Sequence, residues 1–453
     1  MPLILASAII MQQIDATAIA TALPSIARAL HAPILSLHSA ISIYLLALGV
    51  FLPVSGWLAD RFGAKQIFCF AIAMFTAASL LCAASTSLTA LILARLIQGF
   101  GGALMLPTAR LIIVRSVSRS ELVSAMVLMS LPVVIGPTVG PLFGGFIMSV
   151  SSWRWIFLIN LPFGIAAISA TWFFVEPVPV GDRISFDIVG FLLSGAGIGA
   201  VIFGLDQFSD GAGRMSLALP VVGMASLAWY AKHAAGRPDP ILDLGLFRHA
   251  TFRSSLLGGS LFRMGFSALP FMLPLLMQEV FGYTPLQSGA ITFVSAIGAF
   301  GMRTVLKRIL RRFGFRRVLL WNALIASASI ALCATFTPGT APAVMIVVIL
   351  IGGVFRALQT TSINTLAFAD VGSEEMSHAT SLSQMAQRIS QSVGVAGSAA
   401  LLRFCSGNST VPTAKAFVIS FVAIAVLAAL SSLSFLALSD TAGDVLANRD
   451  ART

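Results

Sequence analysis

Long apolar segments dominate this chain and limit what it can fold into. Of its 453 residues, 57% are hydrophobic and only 10% are charged, and the mean hydropathy is +0.95. A soluble globular domain carries about 25% charged residues, because charge has to cover its surface. The composition therefore excludes a soluble fold and a disordered chain. It indicates an all-α polytopic membrane protein.

Fourteen segments approach the length of about 20 apolar residues that a helix needs to cross a bilayer. If the N-terminus lies inside, the inside loops carry about four times as many Lys and Arg residues as the outside loops, as the positive-inside rule requires. One span more or less before the basic loop 303–317 would place that loop outside. We therefore predict both termini in the cytoplasm, an inner (plasma) membrane location, and spans at residues 3–24, 39–58, 67–85, 88–113, 122–148, 156–175, 185–205, 215–231, 254–278, 287–306, 318–336, 342–368, 379–402 and 416–438.

A short basic sequence after the second span recurs after the tenth. Residues 60–65 read DRFGAK and residues 311–316 read RRFGFR, so the second copy keeps the basic turn and loses the carboxylate. The echo implies a duplicated six-helix half, with two halves that face each other across a cavity. The predicted domains are an N-terminal six-helix bundle, two inserted helices with a cytoplasmic loop, a C-terminal six-helix bundle and a short tail, at residues 1–176, 177–253, 254–438 and 439–453.

The segment between spans 2 and 3 contains a specific pattern of glycines and charges. Gly56 is expected to allow close helix approach, and Gly63 to permit a left-handed turn. Asp60 can accept hydrogen bonds or face the positive end of a helix dipole. Arg61 and Lys65 hold the loop inside. A solvated turn that only obeys the charge rule would explain the two basic residues but not the spacing of the others.

Two opposite charges lie inside the spans of the first half. Asp15 is near the middle of span 1, and Arg95 lies about two turns inside span 4, where a charge costs at least about 2.5 kcal/mol. Burial disfavours a charged carboxylate and a nearby arginine favours it. Asp15 is therefore either a proton carrier or one half of a fixed ion pair with Arg95 or another embedded arginine. Arg95 has a buried partner, lines water or extends to the outer interface.

Span 5 carries a dense pattern of small and helix-bending residues, namely Gly136, Pro137, Gly140, Pro141, Gly144 and Gly145. The glycines spaced by four residues make one smooth stripe against which a neighbouring helix can pack closely. The prolines remove backbone hydrogen bonds and bend the helix. A smooth, bent helix can rock against its neighbour, although tight packing without motion would use the same residues.

Polar side chains embedded in the spans are candidates for the lining of a substrate cavity: Gln98, Arg263, Arg356, Gln384 and Arg388. Gln384 lies one turn before Arg388 on a similar face. If the three arginines line the cavity, the site is net positive and suits anionic, zwitterionic or neutral amphiphiles better than dications. Alternatively, each arginine binds backbone carbonyls or fills a helix interface.

These blocks resemble the signature sequences of the major facilitator superfamily, specifically its fourteen-helix drug:proton antiporter branch (EmrB/QacA-type exporters). The stretch Trp153–Gly164 is similar to one typical of that branch. The resemblance implies two six-helix bundles plus two extra helices, a gating role for residues 56–65, proton coupling through Arg95 and an antiporter role for the span 5 pattern. Ala20 replaces the usual asparagine of the first helix, and the second-half loop lacks its acidic residue, which makes gating asymmetric.

The sequence thus predicts a secondary active transporter that exports small amphiphilic compounds in exchange for protons, by alternating access. One alternative is an exporter of a single metabolite or sugar. Another is a non-transporting sensor or scaffold, which would need a long soluble loop or tail. The chain is not expected to be an enzyme or to hold a metal or cofactor, because its histidines and four cysteines form no motif. Expected partners are the substrate, protons and the lipid bilayer, without nucleic acid, and a monomer is compatible with the sequence.

Overall fold

A computed structural model describes residues 1–117, 121–176, 186–209, 215–237, 240–372, 375–407 and 412–443. This part of the chain is helical and contains no β-strand. The predicted tail beyond residue 443 and the predicted junction at 177–185 lie outside the described residues. The fold is therefore an all-α polytopic membrane protein, as the long apolar segments require.

The helices divide into two compact units. Unit 1 comprises Met1–Ile188 and Tyr283–Ala290, and unit 2 comprises Val189–Gly282 and Ile291–Thr453. The first helices are α1 (Pro2–Ala29), α2 (His38–Phe51), α3 (Val54–Phe62), α4 (Ala64–Ala84), α5 (Leu88–Ser116), α6 (Leu122–Val150), α7 (Trp155–Leu158) and α8 (Asn160–Phe174). The remaining helices are α9 (Ile188–Ser209), α10 (Met215–Ala235), α11 (Ala250–Ser267), α12 (Leu269–Leu275), α13 (Pro285–Phe313), α14 (Phe315–Cys333), α15 (Pro342–Leu366), α16 (Met376–Ser406) and α17 (Ala414–Leu436).

Each predicted span coincides with one helix or with a run of short ones. Span 2 is divided into α2 and α3, span 6 into α7 and α8, and span 9 into α11, α12 and a π-turn at Leu276–Val280. Within the described residues, nine helices are long and apolar enough to cross a membrane by themselves, and ten if the bent α13 is counted. The prediction of fourteen crossings is compatible with this set of helices.

Two glycines turn the chain between successive helices at matching places in the repeat. Gly63 joins α3 to α4 with a φ of 90°, and Gly314 joins α13 to α14 with a φ of 76°. Residues other than glycine rarely adopt a backbone conformation with a positive φ of this size. The resemblance of residues 60–65 to residues 311–316 is therefore also a resemblance of backbone geometry.

The segment before Gly63 differs from its prediction in two respects. Residues 56–62 belong to α3, and only Gly63 is outside a helix. The expectation that Gly56 permits close helix approach is wrong, because a Cβ placed there would meet no atom within 4 Å. Helix α3 continues to the turn at Gly63, and Gly56 faces open space.

Candidate functional site

A buried ion pair joins α1 to α5 inside unit 1. Nη1 of Arg95 lies 2.6 Å from Oδ2 of Asp15, and both side chains are 0% exposed. The hydroxyl of Ser87 caps the first turn of α5 by accepting from the backbone N–H of Ala90, so the helix carries Arg95 inward from a defined start. Arg95 therefore points into unit 1 and not to the outer interface, and Asp15 is its partner.

Neutral polar groups complete the surroundings of the carboxylate. Oδ1 of Asp15 accepts from Nδ2 of Asn160 at 2.8 Å and from Nε2 of Gln98 at 3.1 Å. The hydroxyl of Ser79 accepts from the same two amides, at 3.1 Å from Asn160 and 2.7 Å from Gln98. Oε1 of Gln98 accepts from Arg95 at 2.7 Å. Four helices, α1, α4, α5 and α8, therefore meet in one hydrogen-bonded network.

The guanidinium of Arg95 lies between polar and aromatic partners. Nε donates to the carbonyl of Ala40 at 3.3 Å, and the guanidinium carbon is 4.2 Å from the centre of the Tyr44 ring. Close packing of α5 on α2 makes this stacking possible, since a Cβ at Gly99 would lie 2.8 Å from the carbonyl of Tyr44. Nη2 of Arg95 has no hydrogen-bond partner in the part of the chain that the structure describes. The cation thus keeps one free donor.

The charge balance of this network depends on one proton. With Asp15 ionised, its negative charge offsets the positive charge of Arg95 in an interior from which solvent is excluded. Protonation of Asp15 would leave the guanidinium buried without a counter-ion, and breaking such a pair costs about 3–5 kcal/mol. A proton bound at Asp15 would therefore favour any arrangement in which Arg95 reaches water or another anion.

The glycine stripe of α6 packs directly against α1. A Cβ on Gly136 would collide with Cβ of Gln13, and one on Gly140 would collide with Oγ1 of Thr17. A Cβ on Gly144 would collide with the carbonyl of Ala18 and lie 2.5 Å from Oγ1 of Thr21. The helix that the stripe was expected to accommodate is thus the one that carries Asp15.

The remaining residues of the α6 pattern, Gly145, Pro137 and Pro141, do not pack against α1 in the same way. The carbonyl of Pro285 would lie 2.6 Å from a Cβ on Gly145, and a Cβ on Gly289 would collide with the carbonyl of Pro141. Pro137 is exposed. Despite these prolines, the helical assignment runs without a break from Leu122 to Val150.

Helix α1 uses two opposite faces. Each residue advances a helix by about 100°, so Asp15 points away from Gln13 and Thr17. One face of α1 lies on the glycines of α6, and the opposite face carries the carboxylate of the buried network. A change in the charge of Asp15 and a change in the packing of α1 on α6 therefore act on the same rigid element.

Two contacts fix the segment around Gly63 to the rest of unit 1. Oδ1 of Asp60 accepts from Nη2 of Arg115 at 2.7 Å, which ties α3 to the end of α5. Within α3 itself, the guanidinium carbon of Arg61 lies 5.3 Å from the centre of the Trp57 ring. Nζ of Lys65 donates to the backbone carbonyl of Trp172 at 2.7 Å and ties α4 to the end of α8.

Unit 2 repeats one of these contacts. Aligning Gly63 with Gly314 places Lys65 opposite Arg316, which donates to the carbonyl of Leu436 at 3.3 Å at the end of α17. Arg316 also pairs with Asp440 at 2.7 Å. Arg311 occupies the position that Asp60 has in unit 1. Unit 2 therefore keeps the hydrogen bond from the basic residue to a helix-end carbonyl, but its described residues have no counterpart of the Asp60–Arg115 ion pair.

Two of the three embedded arginines of unit 2 contact a neutral amide side chain. Arg263 is 5% exposed and donates to Oδ1 of Asn364 at 2.6 Å. Arg388 is half-buried and lies 3.4 Å from Oε1 of Gln391. Arg356 is half-buried, and its guanidinium has no hydrogen-bond or ion-pair partner among the described residues. Gln384 is also half-buried.

Gln98 has a different position from the other candidates for the substrate cavity. Its amide is 0% exposed, and the buried network of Asp15 occupies both of its ends. In this arrangement it positions the carboxylate and the guanidinium. The structure brings Gln98 together with Arg95 and Asp15, and it places Arg263, Arg356, Gln384 and Arg388 in unit 2.

Three residues of the site escaped the sequence analysis. Asn160 and Ser79 both belong to the network of Asp15, and Arg115 is the partner of Asp60. Asn160 carried a signal, because it is an amide inside the apolar stretch Trp153–Gly164. Ser79 resembled an ordinary small residue of a membrane helix.

The described residues contain no group of three or more His, Cys, Asp or Glu side chains that could hold a metal ion. The four cysteines are free thiols. The polar network of unit 1 consists of a carboxylate, a guanidinium and their hydrogen-bonding partners.

Long apolar helices around a buried, hydrogen-bonded ion pair define a polytopic membrane protein. The sequence profile of the Major Facilitator Superfamily matches residues 5–395, and the chain belongs to that superfamily. It is consequently a transporter and not an enzyme, and a multi-pass protein of the inner membrane.

Relatives and solved structures agree with this assignment. A Yersinia enterocolitica protein named "Putative multidrug resistance protein MdtD" is 38% identical over 440 residues, which cover 95% of this chain and 93% of the relative. A Klebsiella pneumoniae protein of the same name is 36% identical, with 97% and 94% covered. A bacterial homologue of the lysosomal transporter Spinster has a TM-score of 0.68 at 17% identity, with 99% of this chain and 96% of that one covered. A POT family transporter in complex with 5-aminolevulinic acid also has a TM-score of 0.68, at 13% identity, with 96% and 95% covered.

Proposed function

We propose that this protein is a multidrug efflux transporter that exchanges protons for small amphiphilic compounds by alternating access, with both termini in the cytoplasm. The names of the MdtD relatives support the substrate class. The ion pair of Asp15 and Arg95, wholly buried in unit 1, is the observation that carries the proton coupling. Its charge balance changes when one proton binds.

The coupling works through the cost of an unpaired cation. A proton that arrives at Asp15 removes the counter-ion of Arg95, whose Nη2 already has a free donor. A conformation that hydrates the guanidinium then becomes favoured, because an unpaired buried charge is expensive. Since α1 carries Asp15 on one face and contacts the α6 glycines with the other, the protonation state is transmitted to the packing of these two helices.

The second unit supports a preference for substrates with a negative or neutral polar group. Arg356 has no partner among the described residues, and Arg263 has the neutral partner Asn364. A carboxylate or sulfonate on an amphiphile would supply the missing countercharge. The same property would suit a dedicated exporter of one anionic metabolite, so that alternative is kept as the second candidate.

The test uses Asp15→Asn in proteoliposomes with an imposed pH gradient. We expect the unaltered protein to expel a fluorescent amphiphile against its gradient and to move protons the other way. Asp15→Asn should lose both activities and retain substrate exchange at equal concentrations. Asp440→Asn is the matched control, because that carboxylate is 75% exposed and pairs with Arg316 at the surface.

Uphill efflux by Asp15→Asn would overturn the proposal. If the single variant fails to reach the membrane because Arg95 is left unpaired, the double variant Asp15→Asn/Arg95→Gln removes both charges. The double variant should accumulate and exchange substrate without any response to the pH gradient, and a retained response would also contradict proton coupling at this site.

A further inference from the structure

The last part of α13 is a short amphipathic helix set at an angle to the rest. The segments Pro285–Met302 and Thr304–Phe313 meet at 59°. Within the second segment, Lys307, Arg308, Arg311 and Arg312 are all exposed. At about 100° per residue, these four cations occupy one side of the helix and its apolar residues the other.

An open cavity of about 590 Å³ lies against the basic side. It is lined by Thr304, Lys307, Arg308, Arg311 and Arg312. No carboxylate is among these residues, and none of the four cations forms an ion pair within the described part of the chain. Arg316, in the first turn of α14, does pair with a carboxylate, that of Asp440. The cavity therefore concentrates positive charge that no carboxylate of the described residues balances by an ion pair.

The apolar side indicates which surroundings this helix meets. Val305 is 38% exposed and Phe313 is 48% exposed, although the helix has an adjacent buried residue in Leu310 at 6%. A helix with exposed apolar residues on one side and Lys and Arg on the other lies in the interface of a bilayer. The bend after Met302 gives this segment a direction different from that of the apolar segment before it.

We propose that this cavity binds the phosphate headgroup of an anionic glycerophospholipid of the inner leaflet. Guanidinium groups form paired hydrogen bonds with phosphate oxygens, and Lys adds a point charge. The exposed apolar residues would contact the acyl chains of the same lipid. A free phosphate ion would use only the basic side, so the joint presence of both sides favours a lipid.

The positive-inside rule alone does not account for this arrangement. That rule depends on the number of basic residues in a loop and would be satisfied by cations pointing in any direction. Here the four cations line one cavity together with Thr304. The proposal is also independent of proton coupling, because it concerns lipid binding to a protein at rest.

The experiment is native mass spectrometry of the purified full-length protein with added phosphatidylglycerol or phosphatidylcholine. We expect bound phosphatidylglycerol on the unaltered protein and a loss of at least about fivefold in Arg308→Gln/Arg311→Gln, whose two guanidinium groups face the cavity. Lys232→Gln/Arg253→Gln is the matched control, because it removes two exposed cations from unit 2 outside the cavity. The control should bind the lipid as the unaltered protein does.

Three results would overturn the proposal. These are equal lipid binding by Arg308→Gln/Arg311→Gln and the unaltered protein, equal loss in the control, and displacement of the lipid by millimolar inorganic phosphate. If the double glutamine variant does not fold, Arg308→Lys/Arg311→Lys keeps the charge and loses the paired geometry. It should bind phosphatidylglycerol more weakly than the unaltered protein, and unchanged binding would contradict the assignment.

Discussion

Asn160 donates a hydrogen bond of 2.8 Å to Asp15, from a position 145 residues away in the sequence. The amide stands in the first turn of α8, after the break that separates α7 from α8. It brings a second helix to the carboxylate that Arg95 already holds, so the ionised form of Asp15 is stabilised from α5 and α8 together.

Asn160→Ala should slow proton-driven efflux. Hydrogen bonds to a charged group contribute about 1.5–3 kcal/mol, and the amide of Asn160 supplies one of the hydrogen bonds to Asp15. With one donor fewer, the carboxylate is held less firmly beside Arg95, and the efflux rate per unit of membrane-inserted protein should fall severalfold. Efflux driven by an imposed pH gradient in proteoliposomes measures this loss.

Asn322→Ala is the matched control for that measurement. Asn322 donates to Gln359 at 2.8 Å and to the carbonyl of Phe355 at 2.9 Å, both of them neutral groups in unit 2. This variant should lower the thermal unfolding temperature without slowing proton-driven efflux. An unchanged efflux rate in Asn160→Ala would contradict a role of the Asn160–Asp15 hydrogen bond in transport.

Gly140→Ala should impair transport through α1. The added methyl group would overlap Oγ1 of Thr17, and overpacking of this kind costs about 1–3 kcal/mol. Thr17→Ala in the same chain removes the overlapping oxygen and should restore part of the activity. Gly397→Ala is the control, because a Cβ there meets no atom within 4 Å. Equal transport by the Gly140 and Gly397 variants, measured per unit of membrane-inserted protein, would contradict close packing at the stripe.

The ion pair of Asp60 and Arg115 should affect transport rate more than stability. Its side chains are 24% and 29% exposed, and such pairs contribute about 0–1 kcal/mol. Asp60→Arg places two cations together and should slow efflux severalfold with little change in unfolding temperature. The exchanged pair Asp60→Arg/Arg115→Asp should recover the rate. A failure to recover would mean that another partner of Arg115 matters more.

Arg356→Gln should weaken binding of anionic amphiphiles selectively. A hydrogen bond to a charged group contributes about 1.5–3 kcal/mol, so removal of this guanidinium predicts a loss of about tenfold in affinity or more. Binding of cationic dyes should stay unchanged or improve. Competition assays with matched anionic and cationic dyes test this, with Arg28→Gln, an exposed cation of α1, as the control. If the unaltered protein binds divalent cationic dyes more tightly than anionic dyes, the proposed preference for anionic amphiphiles is wrong.

The sequence predicted the positions of the apolar helices well because each depends on local composition. It also identified Asp15 and Arg95, since charges inside apolar runs are conspicuous. It left their pairing open, because the 80 residues between them do not determine how two helices are rotated about their axes. Asn160 was missed for the same reason.

Gly56 shows a different limit of the sequence. Glycine permits close approach, but whether a helix occupies the space depends on the packing of distant segments. At Gly140 that space is filled by α1, and at Gly56 it is open. The composition of the two sites does not distinguish them.

Helix α1 contacts the glycines of α6 on one face and carries Asp15 of the buried network on the other, and this restricts how the protein can evolve. An enlarged side chain on one face displaces Asp15 from its network, and an altered charge on the other disturbs the fit to α6. Laboratory selection for resistance to new compounds should therefore leave residues 13–18 unaltered. Adaptive substitutions should accumulate in unit 2 instead, where the guanidinium of Arg356 has no partner among the described residues.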